Sequence, residues 1–206
     1  MTEPRDLFGD IDIYLFDQIL KGRFAPGHKI LDAGCGGGRN LVYFLRAGYE
    51  VFGVDSRADA IDYVRQLARQ LAPQLPPENF QLAAVEDTVF ADESFDAVLS
   101  SAVLHFANDE AQFRRMLNAM WRQLKPGGLF FARLASSIGL ETRVQQIDER
   151  RYLLPDGSER FLVDEALLLE LTTKLNGDWL EPLKTTNVQN LRCMTTWVIC
   201  KRSSKK

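Results

Sequence analysis

From residue 29 onward, short apolar runs alternate with longer stretches in which apolar side chains recur every three or four positions. The short runs read as buried strands and the longer stretches as amphipathic helices. Strands are predicted over 30–32, 50–55, 80–84, 95–100 and 129–135. Between them, helical spacing begins at Leu41, covers 57–71 through Ile61, Val64, Leu67 and Leu71, and covers 110–124 through Phe113, Leu117, Met120 and Leu124. Ser56 is placed to cap the second helix, and Pro73, Pro76 and Pro77 break it. Lys125-Pro-Gly-Gly stops the third. Strand and helix in turn predict an α/β domain. The 95–100 run is apolar enough for burial on both faces, as in a central parallel strand.

The flanks carry weaker signals. Residues 10–22 have helical spacing, with Asp10 as a plausible cap and Gly22 as a stop. Ile11, Leu15 and Ile19 share one face, whereas Tyr14 and Asp17 lie off it. Pro26-Gly27 turns the chain into the first strand. After residue 135, a hairpin is predicted over 151–161 around Pro155-Asp156-Gly157. A helix from the Asp164 cap to about 175 follows, then strands over 180–186 and 194–201. Without a repeat or low-complexity linker, the chain reads as a single domain.

Candidate chemistry concentrates in residues 29–40, Lys-Ile-Leu-Asp-Ala-Gly-Cys-Gly-Gly-Gly-Arg-Asn. Asp32 stands where the first strand leaves the sheet. Gly34, Gly36 and Gly38 alternate through a turn in which glycine permits positive φ and close ligand approach. The next helix should begin with unpaired N–H groups carrying about half a positive charge, suited to a carboxylate. The pattern is not a dinucleotide fingerprint, because its last glycine would fall on Arg39. Nor is it a P-loop, which needs Gly-Lys-Ser/Thr. Asp55 closes the second strand, and an acidic residue there can accept two hydrogen bonds from a ribose diol.

With Asp55, the glycine loop resembles the class I S-adenosylmethionine-dependent methyltransferases. The run Gly-Gly-Gly-Arg-Asn-Leu-x-Tyr-Phe-Leu-x-x-x-Gly-Tyr-x-Val looks like their tellurite-resistance and thiopurine methyltransferase branch. Ser94-Phe95-Asp96 and Leu-Lys-Pro-Gly-Gly before the fifth strand are similar too. The likeness covers 28–135 well and the ends in outline. It implies a Rossmann-like, doubly wound, seven-stranded sheet with an antiparallel C-terminal edge strand. The implied layout is an N-terminal helical cap (1–27), a cofactor-binding core (28–135), a substrate-side insertion with closing strands (136–201), and a tail (202–206). The implied cofactor is S-adenosyl-L-methionine, leaving as S-adenosyl-L-homocysteine. Its expected contacts are Asp32, Gly34, Cys35, Gly36, Gly38, Arg39, Asn40, Asp55, Ser56, Val85, Glu86 and Ser101. The acidic residue that usually reads the adenine amino group falls on Ala84, so adenine must rest on the backbone at Val85 and Glu86, on Glu86 itself, or on stacking.

Composition narrows the partners. With 206 residues, 46% hydrophobic and 26% charged, the chain suits one soluble domain. A net charge of −3 argues against a dedicated nucleic-acid binder and favours a small-molecule acceptor over RNA or protein. Lys201, Arg202, Lys205 and Lys206 read as a solvated tail. Cys35, Cys193 and Cys200 have neither C-x-x-C pairing nor metal spacing, so no metal is expected and a reducing cytoplasm is the expected setting. The N-terminal residues lack a signal core, and no apolar run reaches the ~20 residues that span a bilayer. A monomer or homodimer fits.

Methyl transfer from a sulfonium needs mainly alignment of acceptor and methyl. A base adds only about 10² to 10⁴. His105, just past the fourth strand, is the candidate base, with packing as its bland alternative. His28 reads as solvated. Tyr14, Asp17 and Arg133 are candidate substrate contacts, and Arg133 either neutralises an anionic substrate or pairs with an acidic neighbour. Two other classes stay open: a catalytically inactive cofactor-binding regulatory or partner protein, and a nicotinamide-dependent oxidoreductase.

Overall fold

A computed structural model describes residues 3–203. The chain forms β1 (Lys29–Ala33), β2 (Glu50–Asp55), β3 (Phe80–Leu82), β4 (Phe95–Ser101) and β5 (Leu124–Ala135). Between them lie α3 (Val42–Arg46), α4 (Ala58–Leu71) and α5 (Glu110–Gln123), with α1 (Pro4–Phe8) and α2 (Ile13–Leu20) ahead of β1. After β5 come β6 (Gln145–Asp148), β7 (Arg151–Leu153), β8 (Glu159–Phe161), α6 (Glu165–Lys174), β9 (Gly177–Trp179), β10 (Lys184–Val188) and β11 (Arg192–Lys201).

The main sheet runs in the order β10-β11-β5-β4-β1-β2-β3. The five strands β1 to β5 are parallel; β11 joins β5 antiparallel and lies one strand in from the edge. β9 extends the sheet by pairing with the far end of β11. This is the Rossmann-like, doubly wound arrangement expected.

Alternation along each strand feeds two cores, because successive side chains point to opposite faces. On β5, Phe130 and Ala132 join the core under α5 and α6, while Leu129 and Phe131 join the one under α3 and α4. β11 divides likewise, with Trp197 and Ile199 on one side and Val198 on the other. The α5 stripe Phe113, Leu117 and Met120 is buried as its spacing required. Both faces covered is what forces every strand tip, and the loops on it, to carry the polar work.

Local expectations shift in several places. α2 is capped by Asp12, whose carboxylate accepts from Tyr14 N–H, and not by Asp10, which pairs with Arg5. Ser56 caps nothing; Arg57 holds the cap position of α4, and Asp55 accepts its N–H. The predicted 151–161 hairpin gains a third strand, β6, forming a small sheet of its own. The closing strand expected at 180–186 forms only from Lys184, as β10, and a further short strand, β9, precedes it. α1 had no sequence signal beyond Pro4 at its first turn. Arg202 in the expected tail is tied to Asp178, its Nε 2.8 Å from the carboxylate, and residues 204–206 lie outside the described ones.

Candidate active site

The glycine turn is stitched to β2: the N–H groups of Gly34 and Cys35 both donate to Val54 O, at 2.8 and 2.9 Å. Each glycine meets a different demand. A Cβ on Gly34 would stand 2.3 Å from Val103, and one on Gly38 2.8 Å from Val64, so both are glycines because protein packs against them. Gly36 has positive φ, and a Cβ there would meet nothing within 4 Å; it is one of the residues that line a cavity beside the turn. The helix after the turn starts later than expected, at Val42, and is only five residues long. The N–H groups of Gly38 and Leu41 are already bonded to Cys35 O and Gly38 O. A carboxylate therefore finds fewer free donors than the sequence suggested.

A cavity of about 470 Å³ opens beside the turn at the carboxyl edge of the sheet. It brings together six of the residues predicted from sequence: Gly34, Gly36, Asp55, Ser56, Val85 and Glu86. Asp55 accepts Gly36 N–H at 2.8 Å through one oxygen and Arg57 N–H at 3.0 Å through the other, so turn and strand tip are fixed relative to each other. Glu86 accepts from Gln112 at 2.8 Å. Ala84 lines the same wall, as do Phe106 and Met116, which supply apolar surface beside Glu86. Phe106, Gln112 and Met116 were missed: helical spacing marks α5 as core and cannot show which of its residues reach past the sheet edge.

The remaining predicted contacts lie around this cavity rather than on its wall. Asp32 is 1% exposed, and neither of its oxygens has a partner among the described residues. Burial pushes its carboxyl up to about 7; Arg39 opposes the shift and Asp55 adds to it. Cys35 turns its sulfur into the core against Gly53, with burial driving its thiol up from the usual range, so only its backbone belongs to the turn. Arg39 reaches Ser101 Oγ at 3.1 Å, and Asn40 accepts Asp12 N–H at 3.0 Å.

Asp12, unforeseen because Asp10 stood equally well for the cap, is the hub of this rim. It is buried and accepts from Arg133 at 3.0 Å and Ser101 at 3.3 Å. Arg133 also lies over the Tyr14 ring, 5.0 Å from its centroid, and Tyr14 Oη is 2.6 Å from Thr186 Oγ1. Asp17, expected near substrate, is instead bonded to Lys21 and Lys184, both at 2.6 Å, which hold its carboxyl below the usual range.

His105 is buried on the far side of Ala102. Its Nδ1 accepts Ala135 N–H at 3.2 Å, which leaves the ring proton on Nε2. Burial, with Arg160 nearby, holds it down to about 4. At neutral pH it is an uncharged donor. A base would need Nε2 bare, and the bond from Ala135 opposes that tautomer.

Could these residues hold the cofactor that the resemblance implies? Two observations fit. A buried carboxylate without a partner is costly and is relieved by a cation, such as an amino-acid ammonium. The open side of Gly36 leaves room for an adenosyl group next to Asp55. Among the described residues no cluster of three or more His, Cys, Asp or Glu is arranged for a metal, and no helix is long and apolar enough to cross a membrane.

Comparison with known proteins agrees. Residues 31–132 match the family described as methyltransferase domain. The malonyl-[acyl-carrier protein] O-methyltransferase of Pseudescherichia vulneris is 32% identical over 159 residues, 75% of this chain and 57% of that protein. The chain spans about half the length of the curated relatives it matches, 46% and 57% for two of them. Among solved structures, a SAM-dependent methyltransferase from Methanosarcina mazei superposes with a TM-score of 0.73 at 22% identity, covering 90% of this chain and 98% of that one. The 1,6-didemethyltoxoflavin-N1-methyltransferase of Burkholderia thailandensis, solved with S-adenosylhomocysteine, gives 0.70 at 19% identity, covering 95% and 80%. Matched sequence, strand order and glycine turn converge: residues 31–132 of this chain match the methyltransferase domain family, and its sheet has the fold of the S-adenosylmethionine-dependent methyltransferases on which it superposes.

Proposed function

We propose that the protein transfers the methyl group of S-adenosylmethionine to a small-molecule acceptor. The observation that carries this reading is the buried Asp32, without a partner among the described residues, beside a glycine turn whose open glycine, Gly36, lines the Asp55 cavity. When bound, the cofactor supplies a methyl group already activated on a sulfonium. Asp55 accepts the sugar hydroxyls, Asp32 balances the ammonium, and Val85, Phe106 and Met116 enclose the ring. Arg39 and Asn40 hold the turn against Asp12, while Ser101 sits between them at the tip of β4. Tyr14 and Arg133 border the acceptor side, and Asp17 anchors α2. His105 orients or hydrogen-bonds the acceptor in place of removing its proton.

The Gly-Gly-Gly-Arg-Asn-Leu run supports a place near the tellurite-resistance and thiopurine methyltransferase branch. The segmentation into cap, core, insertion and tail goes with that reading, as do a cytoplasmic setting, an acceptor other than nucleic acid and a monomeric or homodimeric state. A screen of thiols, oxyanions, phenols and carboxylic acids with methyl-labelled cofactor tests it. Transfer of label to one class supports the enzyme; cofactor binding without transfer to any of them favours the inactive binding protein.

A further inference from the structure

A second cavity, of about 270 Å³, adjoins the first through Ala102, which lines both. Ala102 has φ 62°, and its N–H donates to Arg133 O at 2.7 Å, so the partition is fixed by backbone. The walls come from four places: the loop after β4, the tip of β5, the small β7–β8 sheet and the β10–β11 hairpin. We propose that this cavity is the acceptor pocket and that it takes a small organic carboxylate, which leaves as its methyl ester. The proposal rests on the methyl-transfer reading above.

The lining decides the charge. Arg133, Arg160 and Arg192 face a single carboxylate, Asp156, whose Oδ1 is already taken by Ser158 N–H and Oγ at 3.0 and 2.6 Å. Arg133 gives one nitrogen to Asp12, yet its Nε is buried with no partner among the described residues. Arg160 lies over the Phe106 ring at 4.8 Å, and its side chain donates to the neighbouring Glu159 carbonyl. His105 adds Nε2–H, a further donor. The guanidinium groups of Arg160 and Arg192, with Arg133 already paired to Asp12 and the imidazole donor beside them, complement a planar anion with two acceptor oxygens. A cationic or neutral acceptor would leave those donors unmatched. The volume, below the roughly 300 Å³ at which drug-sized sites begin, restricts the acceptor to a small molecule.

The same lining explains the want of a base. A carboxylate oxygen forms the bond to the methyl carbon as the carbon–sulfur bond breaks and its electron pair returns to sulfur. The anion and the sulfonium become a neutral ester and a neutral thioether, and no proton is released. Phenols, alcohols and ammonium groups would each have to lose one.

The test is calorimetry on the full chain saturated with S-adenosylhomocysteine, using benzoate against benzamide and hexanoate against hexanamide. Each carboxylate is expected to bind at least about tenfold tighter than its amide. Arg160→Gln and Arg192→Gln should each cut carboxylate affinity about tenfold while leaving the affinity for S-adenosylhomocysteine unchanged. Label transferred from the cofactor should then appear in a base-labile ester. Equal affinity within the pairs, binding of neither member, or variants indistinguishable from the parent overturns the carboxylate pocket. Failure of S-adenosylhomocysteine itself to bind overturns the methyl-transfer reading, and this inference with it.

Discussion

Asp12 Oδ2 lies 3.0 Å from Arg133 Nη1, and this contact ties the amino-terminal helix α2 to the tip of β5. The aspartate is buried whereas the arginine is one-fifth exposed, so loss of the carboxylate charge leaves a cation that water only partly reaches. Asp12→Asn keeps the cap, since asparagine caps as well as aspartate. It should still cost about 3 kcal/mol in urea denaturation, the lower end of what breaking a buried pair costs. A loss under about 0.5 kcal/mol would mean the pair contributes nothing to folding.

Two glycines of the same turn should fail in different ways. Gly34→Ala drives a methyl into Val103 at a backbone angle of +83° and should destabilise by roughly 3 kcal/mol or more. Gly36→Ala meets open space and should cost only about 1 kcal/mol, the left-handed penalty. Gly36 lines the cavity, so a methyl added there should lower S-adenosylhomocysteine affinity at least about tenfold. Denaturation and calorimetry on both variants check the pair; equal binding by Gly36→Ala and the parent would take the ligand away from this turn.

Much of this was legible in the sequence because it is local. Periodicity placed β1, β2 and β4, the α5 stripe and the Asp164 cap, and the glycine spacing with Asp55 located the cavity. What escaped depends on distant parts of the chain. Asp10 and Asp12 are equivalent caps by spacing, and only the approach of Arg133, 121 positions away, selects the second. Asp17 had Lys21 one helical turn away, but its second partner, Lys184, comes from 167 positions further along the chain. His105 could be read as a base until Ala135 N–H claimed its Nδ1. The donor-lined second cavity draws on four separated segments, so no window of sequence contains it.

Asp32 predicts a pH signature. Its carboxyl titrates at 3.8 when unfolded and about 7 when buried. Between those values the folded state holds a proton that the unfolded state has lost, so stability of the free protein from this group falls as pH rises from about 4 to 7 and stays low above. Asp32→Asn should remove that slope and leave the free protein more stable above pH 7, by roughly 1–3 kcal/mol. The ammonium of S-adenosylhomocysteine favours the ionised form, so binding should tighten from pH 5 to 7, by up to about tenfold per unit, and level off above about 7, where Asp32 of the free protein is already ionised. Thermal melts and calorimetry across pH check both signs; a pH-independent affinity would detach Asp32 from the ammonium.

The most direct measurement is a calorimetric titration of the folded chain with S-adenosylhomocysteine, repeated on Asp55→Asn. One saturable site, with affinity about ten- to hundredfold weaker in the variant from the loss of charge-assisted bonds to the sugar, is the predicted result. No heat and no thermal shift in a folded sample, or equal binding by parent and variant, would contradict it.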